Sequence, residues 1–446
     1  MLTYRKKTFL SISVISLLTL FCLVFFFIHL LNIKKDTPTA TFGADLIACY
    51  TAAQLVNAGE ITEIYVEIKD DFSIVNSGKY YETAKSSGFH LTPTRYIYLP
   101  IFLAPFQLLT RFSFSTSALL CLSVNLFIVI AVILLEWYFT KDLPYPILRL
   151  MLVTSLNLSL FPLFYALKLG QSSIIIYLVI CLIYLFSMKK KDYLAGIFLG
   201  IIITIKFSPL IFTLYFFYRK RYTLVLTCTL TVVAILLASI LSYGLPLHKI
   251  YWNYLIKLSD LEIAAWSNQS IDAFLLRLFT KNSIFYFSPI KSTAFFSIAR
   301  YILTFSVIAT IYLCLKRVTT LNLQRLYPLE FSAVLLCFLI TPPISWLHYF
   351  TLTTLSIILI ATVYFQIYPF RARIIIPLTV ISYGMIAFHP NYSSLVSNYG
   401  QGYFTKVVTS FPFMGTSVIL FINLLLMITF SKKNLGILKD SKRSTG

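Results

Sequence analysis

The chain has 446 residues, of which 58% are hydrophobic, 17% aromatic and only 12% charged. Soluble proteins carry about 25% charged residues, so this chain cannot cover a water-facing surface, and a soluble enzyme, a disordered protein, a coiled coil and a disulfide-rich secreted domain are all excluded. The net charge of +21, from 37 Lys and Arg against 16 Asp and Glu, marks the loops of a membrane protein: it gathers at Arg5-Lys6-Lys7, Lys189-Lys190-Lys191, Arg219-Lys220-Arg221, Lys316-Arg317, Arg371 with Arg373, and Lys432-Lys433, between apolar runs, as cytoplasmic loops do, and suits anionic lipid head groups rather than nucleic acid.

The apolar runs last about 15–25 residues, the length a helix needs to cross the hydrocarbon core, whereas barrel strands alternate over about 10 residues. The expected fold is an all-α polytopic membrane protein, one integral domain over residues 1–446. The first span is expected at 8–31. Arg5-Lys6-Lys7 places its start inside, against a weaker opposing signal from Lys34 and Lys35, and the run is too long for a cleaved signal peptide and lacks a following cleavage site. Residues 32–96 then form a long extracytoplasmic loop that holds half of the acids: Asp36, Asp45, Glu60, Glu63, Glu67, Asp70, Asp71 and Glu82. Within it, about 43–58 alternates at helical spacing and is expected to lie along the membrane surface.

Six apolar runs follow between 97 and 218, at about 97–111, 114–139, 147–166, 170–188, 192–206 and 208–218. The chain enters this region outside and leaves it inside, so an odd number of them cross. The last two, separated by Lys206-Phe207-Ser208-Pro209, read as one hairpin, and 97–111, with Pro100 and Pro105, as a partial insertion. Broken helices within a membrane are tolerated where they line a protein-enclosed cavity, so a cavity is expected here. Residues 219–430 carry further spans at about 222–243, 292–314, 325–341, 348–367, 374–390 and 409–430, giving about 11–13 spans in all at the length a bilayer demands, before a cytoplasmic tail at 431–446. No repeat or low-complexity tract is evident.

The polar residues that interrupt these runs are the candidates for chemistry. Asp45, in Gly43-Ala44-Asp45-Leu46, is a general base near the membrane surface, or else a solvated loop acid or a cap for the following helix. Lys168-Leu169-Gly170-Gln171 breaks two runs and offers an ammonium and an amide to a phosphate or sugar hydroxyl, or is a simple turn. Lys206 lies far from the basic clusters, at the deep end of its run. An ionisable group there faces a partner or a cavity, such as one holding a lipid phosphate, or snorkels to the interface. Trp266-Ser267-Asn268-Gln269-Ser270 with Arg277 reads as an amphipathic surface segment, and its Asn268-Gln269-Ser270 matches a glycosylation sequon. Pro342-Pro343-Ile344-Ser345-Trp346-Leu347-His348-Tyr349 joins two spans, and His348 is an acid, base or hydrogen-bond donor, or an incidental member of an aromatic belt. His29, His90, His248 and His389 are read as incidental. The five His and seven Cys lack metal-ligand or disulfide spacing, and no phosphate or dinucleotide fingerprint occurs.

Taken in order, these pieces resemble glycosyltransferase family 87, the GT-C-type membrane transferases related to polyprenyl-phosphate-mannose-dependent mannosyltransferases. The family's first-loop acid and the helix after it are matched by Asp45, Tyr50, Ala52, Ala53, Gly59 and Tyr65. Its Tyr-Pro-Pro-like segment is matched by Tyr98-Leu99-Pro100, its Gly-Gln turn by Gly170-Gln171, and its Ala-Gly…Gly…Lys…Pro hairpin by Ala195-Gly196, Gly200, Lys206 and Pro209. Asn268-Gln269-Ser270 with Arg277, and Ser345-Trp346 with His348-Tyr349, complete the pattern. Leu46 and Cys49 stand where the family often has aromatics, and Leu99 where it has a proline.

The resemblance implies a multi-span helical bundle with a long first extracytoplasmic loop and re-entrant or broken helices, in a bacterial inner membrane. It implies an inverting transfer of a mannose-like hexose from a polyprenyl-phosphate donor to a glycolipid or glycan acceptor, with no cofactor expected. Asp45 would be the general base, and Lys206 with Arg277 would hold the departing phosphate. His348 would bind that phosphate or orient Asp45. Gln171, Lys168, Asn268, Gln269, Trp346 and Tyr349 would contact sugar or acceptor. Two other readings start from the same polar residues. A flippase for lipid-linked saccharides needs cations along a pore more than an acid. A polymer ligase places its chemistry in a large later loop, whereas half of the acids here lie in the first.

Overall fold

A computed structural model describes residues 2–443 apart from 36–40, 69–72, 260, 281–283, 285–286, 288–289, 291–292, 321–323, 368–371, 389 and 391. Asp36, Asp70, Asp71, Arg371 and His389 thus lie outside the described residues, as do the side chains of the basic clusters at 5–7 and 432–433. A backbone in hydrocarbon must satisfy its own hydrogen bonds, and helices do so within one segment. The described chain accordingly forms helices, with two isolated antiparallel bridges, Ile74 to Thr94 and Asn268 to Trp346, and no longer ladder.

Among the described residues, six helical segments are long and apolar enough to cross a membrane: Ser13–Leu31, Phe114–Phe139, Tyr222–Tyr243, Ala294–Val318, Leu347–Gln366 and Phe411–Ser431. The expected run at 147–166 is instead two helices, Pro146–Leu158 and Phe161–Leu169, bent by 58°. Pro162 has no N–H to continue the ladder and sits in the first turn of the second helix, where a proline is tolerated. Several other apolar runs also form short helices: Ser173–Met188, Asp192–Ile205, Leu210–Tyr218 and Tyr327–Ile340. At 1.5 Å per residue each falls short of a core about 30 Å thick, so single helices of crossing length are fewer than the runs counted in the sequence. The last helix, Phe411–Arg443, continues into the segment read as a tail.

The short helices arise where the sequence breaks. Pro100 and Pro105 divide the 97–111 run into a 3-10 turn, Pro100–Leu103, and a helix, Ala104–Leu109. Lys206-Phe207-Ser208-Pro209 turns Asp192–Ile205 into Leu210–Tyr218 as the expected hairpin. This hairpin presses on Tyr222–Tyr243 through Gly196 and Gly200, where a Cβ would meet the carbonyl oxygens of Leu224 at 2.5 Å and Cys228 at 2.8 Å. Small residues are what such a close helix approach requires. At its other end an Arg221–Asp192 ion pair ties the two basic turns together.

The first loop is not a surface strip. Leu46–Asn57 is a helix in which Leu46 to Ala53 and Leu55 are all buried, packed among Ile61–Ile64, Gly78–Ser86 and Pro100–Leu109. An enclosed helix is apolar or small on every face, which is what Ala48, Ala52 and Ala53 supply. The apolar face expected over 43–58 is thus turned against protein. Deeper, Glu136 accepts hydrogen bonds from Asn157 Nδ2 at 2.6 Å and from the Tyr177 hydroxyl, which also pairs with Thr354. This fully buried cluster joins four helices in the core.

Candidate active site

Where the broken helices end, they leave a chamber of about 960 Å³ lined by Asp45, Gln171, Lys206, Trp346, His348 and Tyr349, among others. Its acid is placed by two glycines. Gly170 ends the helix Phe161–Leu169 in the left-handed region at φ +72°, and a Cβ there would lie 2.9 Å from Leu46 Cβ. Gly43 has φ +74°, and its Cβ would meet the Phe114 ring at 2.9 Å. Only glycine accepts both the backbone sign and the contact. The two turns therefore close on each other: Gly43 N–H donates to Lys168 O at 2.8 Å and Asp45 N–H to Leu169 O at 3.0 Å.

The side chains complete this junction. Gln171 Nε2 donates to Asp45 Oδ2, and the backbone N–H of Gln171 is itself fixed on Ala166 O at 3.0 Å. The Thr94 hydroxyl lies beside the same carboxyl and donates to Ala44 O at 2.7 Å. Asp45 occupies the first position of Leu46–Asn57 but makes no capping bond with its side chain, which leaves the carboxyl to the chamber. Burial pushes its pKa up to about 6, against the hydrogen bonds from Gln171 and Thr94, which favour the ionised form.

The cationic side of the chamber comes from the hairpin. Lys206 leaves the helix in an extended conformation, and its Nζ lies 3.3 Å from the centroid of the Tyr349 ring, a cation–π contact. None of the ion pairs among the described residues involves Lys206. His348, next along the wall, is 3% exposed, and its Nε2 is buried without a partner. Its ring lies 4.6 Å from that of Tyr349. Asp45, Lys206 and Tyr349 all line this one chamber. The chamber wall also carries apolar side chains, among them Ile203, Val232, Leu236, Leu255 and Ile308.

Four predicted residues do not line this chamber. Lys168 is buried, and its Nζ donates to Lys35 O at 2.6 Å, fastening the entry to the first loop. Trp266 to Ser270 and Arg277 are buried rather than amphipathic on a surface, so the sequon is closed to glycosylation in the folded chain. Asn268 Nδ2 donates to Ile263 O at 3.0 Å and Pro343 O at 3.1 Å, and its Oδ1 accepts from Ser345 N–H at 2.9 Å. Gln269 Nε2 donates to Trp266 O at 2.6 Å and Thr409 O at 2.7 Å. Arg277 donates to Ser410 Oγ at 2.9 Å, Ala265 O at 3.0 Å and Asn268 O at 2.6 Å, with Nη2 left unpartnered. Leu347 N–H donates to Ser267 O at 2.7 Å, so this buried knot holds the segment that presents Trp346 and His348.

The sequence did not single out Thr94, Arg95 and Trp252, all on the chamber wall. Arg95 Nη1 donates to the carbonyls of Val66 at 3.0 Å and Glu67 at 2.8 Å. A lone arginine among aromatics, just before the first broken helix, was the available signal. Among the described residues no group of His, Cys, Asp and Glu converges as metal ligands do.

The family model for glycosyltransferase family 87 matches residues 96–342, more than half of the chain. The match includes Gln171, Lys206 and Arg277 and stops short of Asp45 and His348. No curated protein and no solved structure matches.

Proposed function

The chain belongs to glycosyltransferase family 87 and is a multi-pass membrane glycosyltransferase, and on that premise we propose that it moves a mannose-like hexose from a polyprenyl-phosphate donor to a glycolipid or glycan acceptor, at the extracytoplasmic face of a bacterial inner membrane. The observation that carries this reading is that Asp45 and Lys206 line one chamber, where Lys206 rests on the Tyr349 ring.

The acceptor hydroxyl attacks the anomeric carbon of the sugar, and its proton passes to the Asp45 carboxylate. The bond between that carbon and the phosphate oxygen breaks, its electron pair leaving with the lipid phosphate. One displacement inverts the anomeric centre, so no covalent sugar–protein bond forms. Lys206 and His348 Nε2 meet the negative charge as it develops on the phosphate, already in place when it does so. The apolar side chains of the chamber wall suit the lipid chain, and Trp346 and Tyr349 offer ring faces to sugar. Lys168, Asn268, Gln269 and Arg277 act from behind the wall, holding the segments that carry the contacting residues. A flippase would need cations along a route through the membrane. Here the cations on the chamber wall are Lys206 and Arg95, beside an acid whose place such a protein would not require.

Asp45→Asn should leave binding of a polyprenyl-phosphate hexose intact and lower transfer by about 10²–10⁴-fold, the range of general-base loss. Turnover equal to that of the unaltered protein would remove the base assignment. Lys206→Met should weaken donor affinity by at least about tenfold, as loss of a charge-assisted phosphate contact does, read by competition with a radiolabelled donor.

A further inference from the structure

Gln171 sits in a turn whose sequence suggested a hand for sugar hydroxyls, yet one N–H of its amide is committed to the acid. Its Nε2 donates to Asp45 Oδ2. Its own backbone is anchored on Ala166, and the same turn accepts the Asp45 and Gly43 backbone N–H groups through Leu169 O and Lys168 O. Gly170, between them, can carry no Cβ without striking Leu46. Three hydrogen bonds and one close approach thus join the Lys168–Gln171 turn to the Gly43–Leu46 segment; two of the bonds are to Asp45, and the side-chain one reaches the carboxyl itself. We propose that Gln171 is a positioning residue for Asp45: it fixes the rotamer of the carboxyl and favours its ionised form, rather than reading the sugar.

The proposal rests on Asp45 being the base. An amide N–H donated to a carboxylate stabilises the charged form more than the neutral one. Without it, burial would be opposed by Thr94 alone, and the acid would stay protonated to higher pH. The other ionisable groups facing Asp45 are Tyr98 before the first broken helix, Tyr165 on Phe161–Leu169, Tyr349, and Cys49 on its own helix. Lys206, His348, Arg95 and Tyr251 complete the titratable wall of the chamber. None of these changes identity when Gln171 is replaced, so a shift in the titration of Asp45 reports the lost amide.

The titration can be read without knowing the sugar. Dicyclohexylcarbodiimide reacts with protonated carboxyls: the acid O–H adds across a C=N bond of the reagent, and the O-acylisourea rearranges to a stable N-acylurea. Purified full-length protein is treated across pH 4.5–8.5, and modification of the Asp45 peptide is quantified by mass spectrometry, with Asp45→Asn as the blank. In the unaltered protein, modification should fall with rising pH through a midpoint near 6, the value to which burial raises Asp45. Gln171→Met, equal in length and without the donor, should move that midpoint up by about one unit, a tenfold change in ionisation. Gln171→Asn, whose amide sits on a shorter arm, should move it in the same direction and serves if the first variant does not fold. A midpoint unchanged in either folded variant overturns the positioning role. That result would leave the base assignment untouched, because Asp45→Asn turnover tests the assignment separately.

Discussion

A carboxylate that takes a proton must be ionised when the acceptor arrives, and the pKa of Asp45 is set by two opposed effects. Burial raises it to about 6, and the hydrogen bonds from Gln171 and Thr94 limit the rise. The sign follows directly: above this value the base is ready, and below it each pH unit removes about tenfold of the active form. The kcat/KM of transfer should therefore plateau above pH 7 and fall with unit slope below 6, and a profile flat down to pH 4.5 would contradict the role of Asp45. Much of this chemistry was visible as residues. Asp45, Gln171, Lys206, Trp346, His348 and Tyr349 are polar or amphipathic groups at breaks in apolar runs, and a break is where the chain leaves hydrogen-bonded helix and can surround a space. Asn268, Gln269 and Arg277 were equally visible but misplaced. Their partners, Pro343, Ser345 and the turn at Thr409–Ser410, are remote in sequence, and no local pattern tells whether an amide faces a chamber or a carbonyl.

At the scale of elements, the junction between the first loop and the Lys168–Gln171 turn decides whether the acid reaches the chamber. Gly170→Ala would force a Cβ into the left-handed region and against Leu46 Cβ at 2.9 Å. Gly88 also has a positive φ, +84°, but nothing lies within 4 Å of its missing Cβ. Comparing the two separates contact from conformation. Gly88→Ala should cost about 1 kcal/mol for the backbone alone, whereas Gly170→Ala should cost about 2–4 kcal/mol, with the overpacking added, and should lower transfer as Asp45 shifts. Thermal unfolding in detergent and turnover check both, and equal losses in the two variants would show that the close approach has no consequence. The breaks at 97–111 and at Lys206–Pro209 were legible, since proline and a lone lysine mark them, whereas the bend between Leu158 and Phe161 was not. Nor was the burial of Leu46–Asn57. Its small and apolar residues fit a membrane surface as well as an enclosed site until Gly78–Ser86 packs over them.

For the whole molecule, the division of labour between long and short helices has a directional consequence. Asp192–Ile205 starts at the Lys189–Lys191 turn and ends at Lys206, about 20 Å away at 1.5 Å per residue. The turn at Arg219–Arg221 lies beside the first, joined to it by Asp192 and Arg221. Both basic turns thus sit at one end of the hairpin and the chamber at the other. If the basic turns face the cytoplasm, as their charge favours, the chamber opens on the opposite side, where the first loop closes over it. Single cysteines test this once the native ones are replaced. The tips Lys190 and Lys220 and the first-loop residue His90 are all exposed. His90→Cys should react with a membrane-impermeant maleimide in intact cells, and Lys190→Cys and Lys220→Cys only after the membrane is opened. The reverse pattern would place Asp45 and Lys206 toward the cytoplasm, and an extracytoplasmic lipid-linked donor could no longer be the substrate.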